Sequence, residues 1–133
     1  MRRSILALSL VSSLVSLAAP ALASEGGKKK GGGETFVTMP TLTASMFRPN
    51  GRRGVMTVEA GLDIADKGLR ERAEQSKPRL RDAYVRALQA QAAAVAPGTA
   101  PNPDAIGLAL QQATDQVLGK PGAKLLIGGL MVN

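Results

Sequence analysis

The chain has 133 residues, enough for one domain, and a formal charge of +7 from 17 Lys and Arg against 10 Asp and Glu. It contains no His, Cys or Trp, which excludes a Ser-His-Asp triad, a thiol nucleophile, a His or Cys zinc site and any disulfide. Its aromatic residues are Phe36, Phe47 and Tyr84, a poor supply for stacking on bases or sugars.

Residues 1–23 read as a secretory leader. Arg2 and Arg3 form a basic start, Ile5–Leu17 an apolar run diluted by serines, and Ala21-Leu22-Ala23 a small-residue cleavage site. The apolar run is about 13 residues, against the roughly 20 that a spanning helix needs. Cleavage after Ala23 and a periplasmic location are expected; the alternative is an inner-membrane anchor formed by residues 4–23. The Arg pair raises twin-arginine export, but its flanks, Met1 and Ser4, fit ordinary Sec export better. Two basic residues leave with the leader, so the mature charge falls from +7 to +5.

Residues 24–34, SEGGKKKGGGE, carry nothing apolar and form a flexible Gly/Lys-rich linker. Lys28, Lys29 and Lys30 allow weak contact with an anionic membrane surface, although a solvated spacer is the plainer reading.

From residue 35 the order reads strand, strand, helix, helix, strand. Thr35–Met46 is strand-like, with Phe36, Leu42, Ala44 and Met46 in one parity and Val37 and Met39 in the other. Pro40 marks an edge or a bulge, because it cannot donate to a ladder. Arg48-Pro49-Asn50-Gly51 is a turn signal. Val55–Ile64 alternates cleanly: Met56, Val58, Ala60, Leu62 and Ile64 face one way, Thr57, Glu59, Gly61 and Asp63 the other. A hairpin with one buried face follows.

Asp66 or Asp63 can cap the next segment, whose helical stripe runs Leu69, Ala73, Leu80, Tyr84, Ala87, Leu88, Gln91 and Val95. Pro78 must kink or split it, giving a short helix to about Ser76 and a longer one beyond. After a Pro-Gly loop, Asn102-Pro103-Asp104 opens the last helix as cap, first-turn proline and favourable anion. Its stripe is Ile106, Ala109, Leu110, Ala113, Val117 and Leu118, and Gly119 and Pro121 stop it. Lys124–Val132 is a final strand, with a bulge expected at Gly128-Gly129. The fold class is α+β: a small antiparallel or mixed sheet covered on one face by two helices.

The candidate interaction residues are charged. Arg79, Arg81, Asp82 and Arg86 share a helix, where the bland reading is a solvated face whose ion pairs contribute well under ~1 kcal/mol. Arg52 and Arg53 sit at the hairpin tip. Glu59 and Asp63, four apart on an exposed strand face, lack the cleft that paired acid/base carboxylates need. Gly119-Lys120-Pro121-Gly122 lacks the ending of a phosphate loop. Export, few aromatics and dispersed charge argue against nucleic acid. No catalytic, cofactor or metal residue is identified.

The order of elements over 35–133 resembles the periplasmic domain of the FliL family, the flagellar basal-body-associated proteins. The resemblance rests on Met39-Pro40-Thr41-Leu42-Thr43, on Asn50-Gly51-Arg52-Arg53 before the strand from Val55, on Lys77-Pro78-Arg79-Leu80-Arg81-Asp82-Ala83, and on a closing helix, Gly break and terminal strand. The string from Pro78 to Ala83 is the most specific, and none is a catalytic motif. The resemblance implies a stomatin-like fold, no enzymatic activity, homo-oligomers in rings or arcs, and contact with flagellar stator or basal-body proteins in motility or chemotaxis. Arg52, Arg53, Arg79, Arg81, Asp82 and Arg86 would then form the partner interface. Family members usually carry a transmembrane helix where this chain has a leader of the cleaved type, a departure that weighs against stator contact. The alternative is a soluble periplasmic binding or scaffold module that contacts anionic envelope components without a motor role.

Overall fold

The computed structural model describes residues 33–133. The expected leader and most of the linker lie outside the described residues. Seven elements follow in order: β1 (Phe36–Thr38), β2 (Leu42–Phe47), β3 (Arg53–Ile64), α1 (Lys67–Gln75), α2 (Lys77–Ala94), α3 (Pro103–Leu118) and β4 (Ala123–Val132). The α+β class is as expected, with a four-stranded antiparallel sheet, but three helices stand where two were expected to cover it, because the segment around Pro78 is divided into two separate helices.

β3 is the centre of the sheet. β4 pairs with it from Met56 to Ile64, which takes one whole edge. β1 and β2 therefore share the other edge, β1 against Gly61–Asp63 and β2 against Arg53–Val58. The single strand expected over 35–46 is thus two. Thr38 lies opposite Gly61 and Leu42 opposite Val58, so one extra residue is accommodated around Pro40 and Thr41. That insertion reverses the parity of what precedes it. Phe36, expected on the face of Leu42, Ala44 and Met46, lies on the opposite face; Val37 and Met39 join the core instead. β4 has its own extra residue at the same level, Gly128, between the pairs Glu59–Gly129 and Ala60–Ile127.

The turn between β2 and β3 forms as its residues require. Gly51 adopts φ 78°, Gly51 N–H donates to Arg48 O at 2.8 Å, and Arg52 N–H donates to Asn50 Oδ1 at 3.1 Å. The inward side of Gly54 has no room for a Cβ, which would stand 2.6 Å from Asn133 O and 2.7 Å from Arg48 Cγ.

The helices cover the inner face. Asp66, rather than Asp63, caps α1 by accepting from Leu69 N–H at 2.8 Å. α1 ends at Gln75 and α2 starts at Lys77, so Pro78 falls in a first turn where no amide is missed. Leu80, Tyr84, Leu88 and Ala92 are the buried row of α2; Gln91 is only half-buried, and Ala92 takes the core position. On α3 the buried row is Ile106, Leu110, Thr114 and Leu118. Met56, Val58, Ala60, Leu62 and Ile64 meet these rows from β3, as the alternation requires.

Asn102 Oδ1 accepts from Asp104 N–H at 2.9 Å and Ala105 N–H at 3.3 Å. Asn102→Ala should lower stability by about 1 kcal/mol, read as a shifted urea midpoint at unchanged slope. At the other end of α3, Gly119 takes a left-handed conformation at φ 77° and closes the helix. None of the described helices is long and apolar enough to cross a membrane.

Candidate functional site: the open face of the sheet

The six charged candidates are all exposed, and they divide into two groups. Arg79, Asp82 and Arg86, at i, i+3 and i+7, lie on the side of α2 opposite the buried row of Leu80, Tyr84, Leu88 and Ala92. Asp82 and Arg86 pair at 2.7 Å, both mostly in solvent, so the pair contributes little to stability. Arg81 is exposed on the same helix. Arg52 and Arg53 belong to the β2–β3 hairpin. The loop after α2 meets this hairpin, since a Cβ on Gly98 would stand 3.8 Å from Pro49 O. The hairpin therefore lies near the C-terminal end of α2, about 22 Å along the helix from Arg79, about 18 Å from Asp82 and about 12 Å from Arg86. The two groups do not converge on one site.

Other arginines hold backbone. Arg70 Nη1 donates to Ile64 O at 2.8 Å and Ala65 O at 2.9 Å, and Arg72 Nη1 donates to Leu118 O at 3.2 Å. Glu59 and Asp63 point to the same side of β3, but their backbones are about 13 Å apart, too far to act as one acid/base pair. Among the described residues, no group of three or more His, Cys, Asp or Glu could hold a metal ion.

The surface with the strongest departure from an ordinary exterior is the outer face of the sheet. β3 contributes Arg53, Val55, Thr57, Glu59, Gly61 and Asp63 to it. The register adds Phe36 beside Asp63, Phe47 beside Arg53, Leu126 beside Gly61 and Met131 beside Thr57, together with the polar Ser45 beside Val55, Thr43 beside Thr57 and Lys124 beside Asp63. Phe47 is 52% exposed, Val55 43%, Leu126 39% and Met131 53%. Among the described residues, four of the five large apolar side chains most open to solvent thus share one face; the fifth is Leu108 on α3. The ring of Phe36 lies over Gly61, where a Cβ would collide with it. Such a ring shields glycine backbone that has no side chain of its own. Beside it is a hollow of about 620 Å³ lined by Phe36, Thr38, Thr41, Glu59, Leu126 and Gly128.

Sequence reasoning did not single out this face. Its signal was nonetheless present. Val55 is apolar at an outward position of β3, and Phe47 is apolar one place past the inward Met46.

Both sheet edges are interrupted, in contrast to the face. Gln111 on α3 reaches the outer edge of β4, where its Oε1 accepts from Leu125 N–H at 2.8 Å and its Nε2 donates to Ala123 O at 2.8 Å. The amide thus stands in for the first pair of groups on a neighbouring strand. Further along, the extra Gly128 breaks the row, and on the far edge Pro40 does the same.

The fold and this surface define an α+β domain with helices on one sheet face and a solvent-open second face on which large apolar side chains stand among polar and charged ones. No protein-family model matches the chain, and no curated protein matches it either.

Proposed function

We propose that the protein is a non-enzymatic, exported structural accessory of the FliL type, working in the periplasm at the flagellar motor and binding stator or basal-body proteins. The reading rests on the resemblance of the strings around Pro40, Arg52 and Pro78–Ala83 and on an element order that accommodates it. The observation that carries it is the open sheet face with Phe47, Val55, Leu126 and Met131 exposed. Large apolar side chains gathered on one open face favour docking to a partner. Self-association belongs to the same reading.

In-cell crosslinking of the tagged protein, followed by mass spectrometry of what it captures, tests the proposal. Recovery of stator or basal-body proteins is expected. Recovery of anionic envelope components alone, released by salt, would replace the motor role with that of an envelope-binding module.

A further inference from the structure

We infer that the open sheet face is self-complementary, and that a second copy of this chain packs on it face to face about a two-fold axis. This gives the self-association of the proposed function a surface and a symmetry, but it does not depend on a motor role.

The register sets the geometry. Let the axis lie between the two sheets, perpendicular to the strands, at the level of Val58. Each β3 then crosses the other in the antiparallel sense, and each edge meets the same edge of the other copy. Arg53 of one copy comes opposite Asp63 of the other, and Thr57 opposite Glu59. On the edge shared by β1 and β2, Phe47 pairs in register with Arg53 and Phe36 with Asp63. The rotation therefore sets Phe47 of each copy over Phe36 of the other. On the β4 edge, Leu126 and Met131 of opposite copies come within about two residues' rise of each other.

Charge supports the same orientation. The Arg53 end of the face is basic, with Arg52 beside it, and the opposite end carries Asp63, with the exposed Lys124 across from it on β4. Turning one copy end over end sets Arg53 of each copy against Asp63 of the other. Sliding it parallel would place Arg53 on Arg53 and Asp63 on Asp63, and such like-charge contacts are unfavourable. The interrupted edges point the same way, because they discourage edge-to-edge pairing and leave the face as the available surface.

The size of the face sets the strength. Three strand widths by the length of β3 give roughly 500 Å² per copy, or about 1,000 Å² in the pair. That is at the lower limit for a specific interface. The pair should therefore be concentration-dependent, with dissociation on the order of micromolar, and weaker in high salt. Sheets packed this way lie at about 30° to each other, which loosens the contacts at the corners more than those on the axis. Because a two-fold contact closes on itself, it does not propagate into a ring through this face.

The test is sedimentation of the purified native protein over a range of concentrations. A reversible monomer–dimer equilibrium is expected. Arg53→Glu and Asp63→Arg each place like charges together twice and should each weaken the dimer at least tenfold. Mixing the two variants should restore it. In the mixed pair the introduced glutamate meets the introduced arginine, and the unaltered Asp63 of one copy meets the unaltered Arg53 of the other. Both positions are exposed, and far-UV circular dichroism of each variant establishes that it is folded. A monomer at every concentration would overturn the inference. So would folded variants that dimerise like the parent, or a mixture that stays monomeric. A dimer that forms only after residues 24–34 are removed would assign the face to the chain's own linker and overturn it as well. Crosslinking to motor proteins in cells is read separately, so either proposal can fail while the other stands.

Discussion

Replacing Tyr84 with alanine is expected to cost about 3–5 kcal/mol, a large share of the roughly 5–15 kcal/mol that holds a small domain folded. Tyr84 is the largest of the fully buried side chains, in a chain with little other aromatic area to bury. Its hydroxyl lies 2.6 Å from Thr114 Oγ1. Thr114 spends its only hydrogen on Leu110 O at 2.8 Å, so Tyr84 is the donor of the pair. Thr114→Val would leave that donor buried without a partner, at about 1–3 kcal/mol. Tyr84→Phe, which leaves Thr114 still bonded to Leu110, should cost less. Urea unfolding of the three variants gives the order Ala, Val, Phe; a small effect for Tyr84→Ala would mean that the core collapses around the vacancy.

The same phenol makes stability depend on alkaline pH. Burial pushes its pKa up from 10.0 to about 12 and the charge of Asp115 adds to the rise; the hydrogen bond that Thr114 gives the ionised phenolate, its hydroxyl turning away from Leu110 O, partly offsets it. The folded-state value lies above the unfolded one, so this contribution is complete below about pH 10 and is lost as the pH rises to about 12. The loss amounts to about 2–3 kcal/mol. Tyr84 is the only tyrosine and there is no Trp, so tyrosinate absorbance follows this one group. Tyr84→Phe serves as the reference for every other group titrating there, and an identical alkaline decline in the two proteins would refute the assignment.

Gln111→Ala is expected to cost about 2 kcal/mol and to free the start of β4. The side chain serves two backbone groups at once, Leu125 N–H and Ala123 O, and its Nε2 also donates to Asp115 Oδ1 at 3.0 Å. Gln111→Glu is the sharper variant. It keeps an acceptor for Leu125 N–H but loses the donor, and sets a carboxylate against Ala123 O and Asp115. It should destabilise at least as much as alanine. Amide hydrogen exchange gives the local readout: protection of Leu125 should fall well before that of Leu62, its β3 neighbour. Unchanged protection would show that water replaces the amide without loss.

Much of this framework is legible one residue at a time. β3 alternates inward and outward without a lapse, and its inner row is the core. Asn102, Pro103 and Gly119 mark the ends of α3 because each acts on its own backbone within a turn. Pro78 divides α1 from α2 for an equally local reason. What could not be read depends on partners distant in sequence. The reversed parity of Phe36 follows from which β3 residues β1 selects. Thr114 looks like a polar lapse on α3 until Tyr84, thirty positions away, meets it. Gln111 shows no trace of its role until β4 lies beside it. The apolar outer face falls between these cases, since Val55 and Phe47 stand at outward positions in plain sight. The arginines drew notice as charges, yet the fold keeps the hairpin pair well apart from those on α2.

The matched extra residues beside Glu59 govern how this domain tolerates change. Pro40-Thr41 on one flank and Gly128 on the other shift their strands by one place at the same level of β3. β3 alone runs through unbroken and serves as the common ruler for the sheet. Deleting a single residue at either place would turn half of a flanking strand inside out, whereas substitution would leave its phase intact. In distant relatives, insertions and deletions should therefore be tolerated in the loops after α2 and α3, and positions 40–41 and 128 should keep their length even where their residues differ.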